Sequence, residues 1–155
     1  LEDETMQNKK VLPPTYLLIS IVLMVALHFL CHPTMSVIPL PWNIFGIIPM
    51  VLGIAINLIA DNALHKAQTT VKPFEESTAL VASSAYRISR HPMYLGFVLI
   101  LVGVAIVLGS LAPFVVIPIF AILMDVVFIR VEERMLEQKF GQAWLEYTRK
   151  VRRWI

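Results

Sequence analysis

The chain has 155 residues, 57% of them hydrophobic and 15% charged, with a mean hydropathy of +0.73 and a formal net charge of +2 at pH 7. That is too apolar for an ordinary soluble domain and points to a membrane protein, with the lipid bilayer as its first partner. The single cysteine, Cys31, excludes an internal disulfide and a cysteine metal cluster, and with no nucleic-acid signature in the basic residues, neither a metal nor a nucleic acid is expected as a partner.

No Lys, Arg, Asp or Glu occurs over residues 11–60 or 91–124, and each stretch is long enough for a helical hairpin at about 20 residues per crossing. The expected fold is therefore an all-α integral membrane protein with four transmembrane helices, both termini cytoplasmic, and a C-terminal amphipathic helix. The domains expected are an N-terminal tail over residues 1–10, a transmembrane region over 11–130 holding a cytoplasmic loop at 61–92, and a C-terminal helix over 131–155. A secretory signal peptide is not expected, because the first apolar run is followed at once by another. Leu1 to Thr5 precede Met6 and are set aside as a candidate cloning remnant.

In chain order, Lys9 and Lys10 flank a first span over about residues 14–31. His28 and His32 share a helical face near its far end and read as headgroup-level polar residues, since no third metal ligand is near. A Pro-rich turn and Trp42 lead to a second span over about residues 43–60. Gly46, Gly53 and Ala60 recur every seven residues there, and Gly96, Gly103 and Ser110 repeat the spacing in the third span, so both stripes read as packing seams. Asn57 and Asp61, four apart, could face inward together. The polar connection that follows carries Lys66, Lys72, Glu75, Glu76 and Arg87, with Pro73 as a breaker, and is long enough to suggest function.

The third span, about residues 93–108, turns at Gly109-Ser110 into a fourth over about 111–130, where Pro113 and Pro118 are candidates for a kink. All thirteen Lys and Arg residues fall in the tail, in the central loop, or from Arg130 onward, which by the positive-inside rule places both termini and the loop in the cytoplasm. Beyond it, Leu136, Phe140, Trp144, Tyr147 and Val151 form a helical stripe, with Gly141 a weak point in the middle. Lys139, Arg149, Lys150, Arg152 and Arg153 are placed near anionic headgroups.

Chemistry concentrates at Tyr86-Arg87-Ile88-Ser89-Arg90-His91-Pro92-Met93-Tyr94-Leu95-Gly96, a cationic loop running into an apolar helix. A residue before proline is biased away from helical backbone, so His91 is expected to be extended or turned, and Pro92 suits a first helical turn. The helix mouth so formed suits a carboxylate or phosphate. Asp125, Arg130, Glu132, Glu133 and Arg134 close the fourth span, and the tight turn between the two helices brings both clusters to one membrane face. Asp125 and Glu132 share a helical stripe and are expected to face one cavity; a salt-bridge network at headgroup level would account for the same residues.

Ser-Arg-His-Pro-Met-Tyr-Leu-Gly, followed by Val-Glu-Glu-Arg-Met-Leu-Glu-Gln-Lys-Phe-Gly-Gln-Ala-Trp-Leu-Glu-Tyr and Val-Arg-Arg-Trp, resembles the isoprenylcysteine carboxyl methyltransferase and phospholipid methyltransferase superfamily over roughly residues 69–154. The run Thr69-Thr70-Val71-Lys72-Pro73-Phe74 looks like the short prokaryotic members, so a multi-pass protein of a prokaryotic cytoplasmic membrane is expected, its site facing the cytoplasm. Two positions depart from the pattern: Ser84-Ala85 stand where the family tends to have a glycine, and Trp144 stands where a tyrosine is usual. The resemblance implies an S-adenosylmethionine-dependent methyltransferase with the donor held by Tyr86, His91, Pro92, Tyr94, Leu95, Gly96, Glu132 and Glu133. Arg90, His91 and Glu132 are the catalytic candidates, and Arg87, Asp125, Arg130, Trp144 and Tyr147 the acceptor-binding ones.

The residue chemistry suits that donor. Acids match its ammonium and sulfonium, and Arg90 or helix amides match its carboxylate; aromatic rings can pack on adenine or touch the sulfonium. The acceptor implied is a lipophilic or amphipathic carboxylate, amine or thiol, and an amine would need a base such as His91, Glu132 or Asp125. Two other readings stand beside this one: a nicotinamide-dependent membrane reductase resembling the steroid reductases, and a non-catalytic membrane module.

Overall fold

Proline and glycine set the bounds of the helix on which the rest packs. In the computed structural model, which describes residues 12–35, 37–70, 75 and 77–155 and only the backbone of residues 32–35, helix α3 runs Pro92–Leu108. His91 ahead of it lies outside the helical region (φ −128°, ψ 60°), as a residue before proline is biased to do. Gly109 ends the helix in the left-handed region (φ +71°), its N–H donating to Ala105 O. The helix α1 (Pro13–Met35) opens on a proline pair, and α2 (Ile47–Lys66), entered through a 3-10 turn at Trp42–Gly46, closes on His65 and Lys66 at its negative dipole end.

After a 3-10 turn at Ala112–Val115, α4 (Val116–Met124) passes through a π-helical turn at Asp125–Ile129 into α5 (Arg130–Phe140). Pro113 and Pro118 fall in the opening turns, where a missing N–H costs little, so the irregularity of this long helix is the π turn. Gly141 (φ +48°) then separates α5 from α6 (Gln142–Lys150), and the last residues form a non-helical strap.

Four transmembrane helices are not found. Among the described residues three helices are long and apolar enough to cross a membrane: Pro13–Cys31, Trp42–Lys66 and Ala112–Phe140. Helix α3 is apolar, but its 17 residues span only about 25 Å at 1.5 Å each, short of a hydrocarbon core of about 30 Å. Pro92 and Gly109 stop it from growing. The parity that put both termini on one side falls with the fourth crossing. The C-terminal amphipathic helix is likewise two helices, because Gly141 takes a backbone that no helix continues. Several long apolar helices still make this an integral, multi-pass membrane protein.

Helix α3 is the inner helix: Tyr94, Phe97, Leu101 and Ala105 are buried with Met24 of α1 and with Val116, Phe120, Met124, Phe128 and Ile129 of the long helix. Helix α2 packs along its other side through glycines. A Cβ on Gly46 would lie 2.5 Å from Gly103 O, and one on Gly53 would collide with Gly96 O, so the two small-residue stripes interlock. At the end remote from His91, His28 Nδ1 lies 2.8 Å from the buried Ser110 Oγ, and Asn43 donates to Val107 O at 3.0 Å. Asn57 lies in the seam, donating to Gly53 O, whereas Asp61 is turned to the exposed His65 at 3.4 Å. Expectations that fall on Leu1 to Lys10, the His32 side chain, Lys72, Pro73, Phe74 and Glu76 lie outside the described residues.

Candidate active site

The loop ahead of α3 is held from the chain's far end. Ser89, 1% exposed, accepts the His91 N–H at Oγ (3.1 Å) and donates to Arg153 O (3.1 Å), while the Arg90 N–H donates to Arg152 O (3.0 Å). Polar loop backbone is thereby satisfied inside an apolar protein, as burial demands. Pinned this way, His91 is 5% exposed with its ring between two acids: Nδ1 is 3.5 Å from Glu132 Oε2 and Nε2 is 3.3 Å from Glu133 Oε1. Burial alone would lower the imidazole pKa, but the hydrogen bonds and negative charges of Glu132 and Glu133 outweigh it and raise the pKa above its ordinary value. With a carboxylate at each nitrogen, only the imidazolium can donate to both.

The twin acids then part company. The Tyr94 hydroxyl donates to Glu132 Oε1 at 2.6 Å. Glu133 instead accepts from Arg153 at both oxygens, Nε to Oε1 at 3.2 Å and Nη2 to Oε2 at 2.5 Å, with Arg90 Nη2 at 3.4 Å. Asp125 is taken by Arg153 Nη1 (3.0 Å) and Arg130 Nε (2.8 Å).

Beside this network lies a cavity of about 590 Å³. Of the residues singled out in the sequence, Tyr86, Arg90, His91, Pro92, Tyr94, Glu132, Trp144 and Tyr147 line it. The Arg90 guanidinium sits 5.7 Å from the Trp144 ring centroid, and its buried Nε has no hydrogen-bond partner. Tyr147 donates to Tyr86 O at 2.6 Å; burial pushes its phenol up to about 12, and burial together with the Glu132 charge raises that of Tyr86, so both stay protonated. Met93 of the loop motif and an apolar flank of Leu12, Pro13, Leu64 and Phe97, not singled out by sequence patterning, complete the wall.

Other expected site residues lie elsewhere. Arg87 is exposed, and Leu95 and Gly96 face away from the cavity, Gly96 into the α2 seam. Arg130 is 61% exposed. Asp125 and Glu132 do not face one cavity: only Glu132 lines it. Between them the π turn inserts a residue, rotating everything after it by about 100° from the phase a regular helix would keep. Ser89 and Arg153 were missed. Sequence alone places Arg153 among the headgroups, because a basic pair near a chain end reads as solvated charge unless its partners are known.

Residues 42–143 match the family described as phospholipid methyltransferase. This chain belongs to the phospholipid methyltransferase family. The match takes in the His91 loop and both acids of this family member, and stops before Trp144, Tyr147 and the strap. Over 116 residues it is 32% identical to Protein-S-isoprenylcysteine O-methyltransferase A of Arabidopsis thaliana, covering 69% of the chain and 55% of that protein. Over 84 residues it is 37% identical to the B form from the same plant, covering 50% of the chain and 39% of that protein. A 63-residue stretch, 41% of the chain, is 38% identical to the whole of an uncharacterized protein of Haemophilus influenzae. The family member thus spans about half the length, or less, of its two plant relatives.

Proposed function

We propose that this protein is an S-adenosylmethionine-dependent methyltransferase that modifies a lipophilic or amphipathic acceptor at the cytoplasmic face of the membrane. The observation that carries the reading is the pairing, in one cavity, of an oriented carboxylate at Glu132 with the guanidinium of Arg90. An acid and a cation so placed suit the ammonium and carboxylate of an amino-acid group. The volume lies within the ~300–1,000 Å³ usual for small-molecule sites. Family membership supports the same reading.

When bound, S-adenosylmethionine supplies an electrophilic methyl on a sulfonium. Glu132, fixed by Tyr94 and His91, would accept from the ammonium, and Arg90, backed by Trp144, would donate to the carboxylate. Tyr86, Tyr147 and Trp144 offer aromatic surface for the nucleoside. The sulfonium charge disappears during transfer, so these residues contribute more by alignment than by stabilising charge. Leu64, Met93 and Phe97 give the acceptor's apolar part a wall continuous with the membrane helices. As an imidazolium His91 donates both N–H groups and is a poor base, Asp125 lies off the cavity, and Glu132 is engaged by Tyr94 and the ammonium, which favours an acceptor that arrives anionic, such as a carboxylate, over an amine that must lose a proton.

Calorimetry in detergent tests the reading: S-adenosylhomocysteine is expected to bind and NADPH not to bind. Binding of NADPH with no response to S-adenosylhomocysteine would overturn it. Methyl-transfer assays with prenylcysteine, amine-headgroup lipid and thiol acceptors then identify the acceptor, the prenylcysteine carboxylate being expected to react.

A further inference from the structure

Arg153 stands outside the cavity, yet it touches the residue on which two cavity groups depend. Glu133 is buried to 14% side-chain exposure and has three cationic neighbours: Arg153 through two nitrogens, His91 at 3.3 Å and Arg90 at 3.4 Å. The forked Arg153 contact is the shortest of these and reaches both carboxylate oxygens, while its remaining nitrogen holds Asp125. A carboxylate satisfied in this way has little pull left for Arg90.

We propose that Arg153 is a positioning residue: by neutralising Glu133 from the C-terminal strap, it leaves Arg90 and His91 presented to the cavity, and of the twin acids only Glu132 is a ligand. The strap is built for the task. Arg152 O and Arg153 O hold the backbone of Arg90 and the side chain of Ser89, Val151 is buried against Trp144 and Tyr147, and Trp154 packs on the main core. Without Arg153, Glu133 would be a buried carboxylate short of cations, and the guanidinium within closest reach is Arg90. Drawing Arg90 onto Glu133 would take it from the cavity.

This inference rests on the donor site proposed above, so its test has one arm that needs no ligand. In the binding arm, Arg153→Met is expected to weaken S-adenosylhomocysteine about tenfold, and Arg153→Met/Glu133→Gln to recover most of that loss, because the unneutralised charge is gone. Glu132→Gln should weaken binding about tenfold with or without Arg153. A structural defect would not be rescued by a second substitution. Glu133→Gln alone weakening binding as much as Glu132→Gln, or a double variant no better than Arg153→Met, overturns the proposal.

In the second arm, trypsin release of the last residues is followed by mass spectrometry. Glu133→Gln should speed it several-fold and Glu132→Gln should leave it unchanged; an unchanged rate in Glu133→Gln overturns the clamp. If Arg153→Met does not fold, Arg153→Gln, which removes the charge but keeps two N–H donors, takes its place in the binding arm with the same expected order. A wild-type protein that does not bind S-adenosylhomocysteine ends the donor reading, and the trypsin arm alone then decides the clamp.

Discussion

Tyr94 donates its hydroxyl to Glu132 Oε1 at 2.6 Å, a short charge-assisted bond joining the first turn of α3 to the first turn of α5. It aims the one member of the Glu132-Glu133 pair that lines the cavity. Hydrogen bonds to charged groups contribute about 1.5–3 kcal/mol to folding, so Tyr94→Phe is expected to lower the melting temperature and, by releasing Glu132, to weaken S-adenosylhomocysteine about tenfold. Calorimetry on the purified variant checks this, and wild-type affinity in Tyr94→Phe would remove Tyr94 from the site.

The glycine seam between α2 and α3 leaves no room for a methyl group. A Cβ on Gly96 would collide with Asn57 Nδ2 and lie 2.7 Å from Gly53 O, and one on Gly103 would collide with Gly46 O. Backbone cannot move aside cheaply, so Gly96→Ala and Gly103→Ala should each cost about 1–3 kcal/mol or more and broaden the size-exclusion profile in detergent. Gly141→Ala meets nothing within 4 Å, but the backbone there (φ +48°, ψ −116°) is one that residues with a Cβ hardly adopt, so it should cost about 1–3 kcal/mol through backbone strain alone.

Ser84 has a positive φ of +57°, and Ser84-Ala85 stand where the resemblance leads one to expect a glycine before Tyr86-Arg87. The loop keeps a glycine-like backbone despite the serine. Removing the Cβ strain should outweigh the greater chain entropy of glycine, so Ser84→Gly is expected to stabilise by on the order of 0.5 kcal/mol. Thermal unfolding in detergent would show it; a lower melting temperature would mean that the serine is not strained.

The pairing of His91 with Glu132 and Glu133 makes stability depend on pH. Its folded pKa is raised above 6.5, so the contribution is fully present below about pH 6.5 and is lost as pH rises through the folded value. Melting temperature should therefore fall more steeply above that pH in the wild type than in His91→Gln. Parallel curves for the two proteins would show that His91 is neutral in the fold.

Much was legible from residue order. The uncharged runs over residues 11–60 and 91–124 marked the membrane class, and the bend at Gly109-Ser110 was enough to bring His91 and Glu132 to one end, as the Tyr94–Glu132 bond shows. The heptad glycines marked the seam. The count of crossings failed because apolarity does not reveal where a helix stops: α3 is as apolar as its neighbours, yet Pro92 and Gly109 hold it to 17 residues.

Hydropathy and turn residues act locally and add along the chain, so the sequence by itself determined the solvent this protein lives in, the loop that carries its chemistry and the helix end it sits on. Which acid faces the cavity depended on the phase of one helix through a π turn, and that turn has no signature in residue type. The partner of Glu133 depended on where a strap twenty residues later in the chain came to rest. Such contacts follow from the summed packing of the whole molecule, and only the tertiary structure decided them.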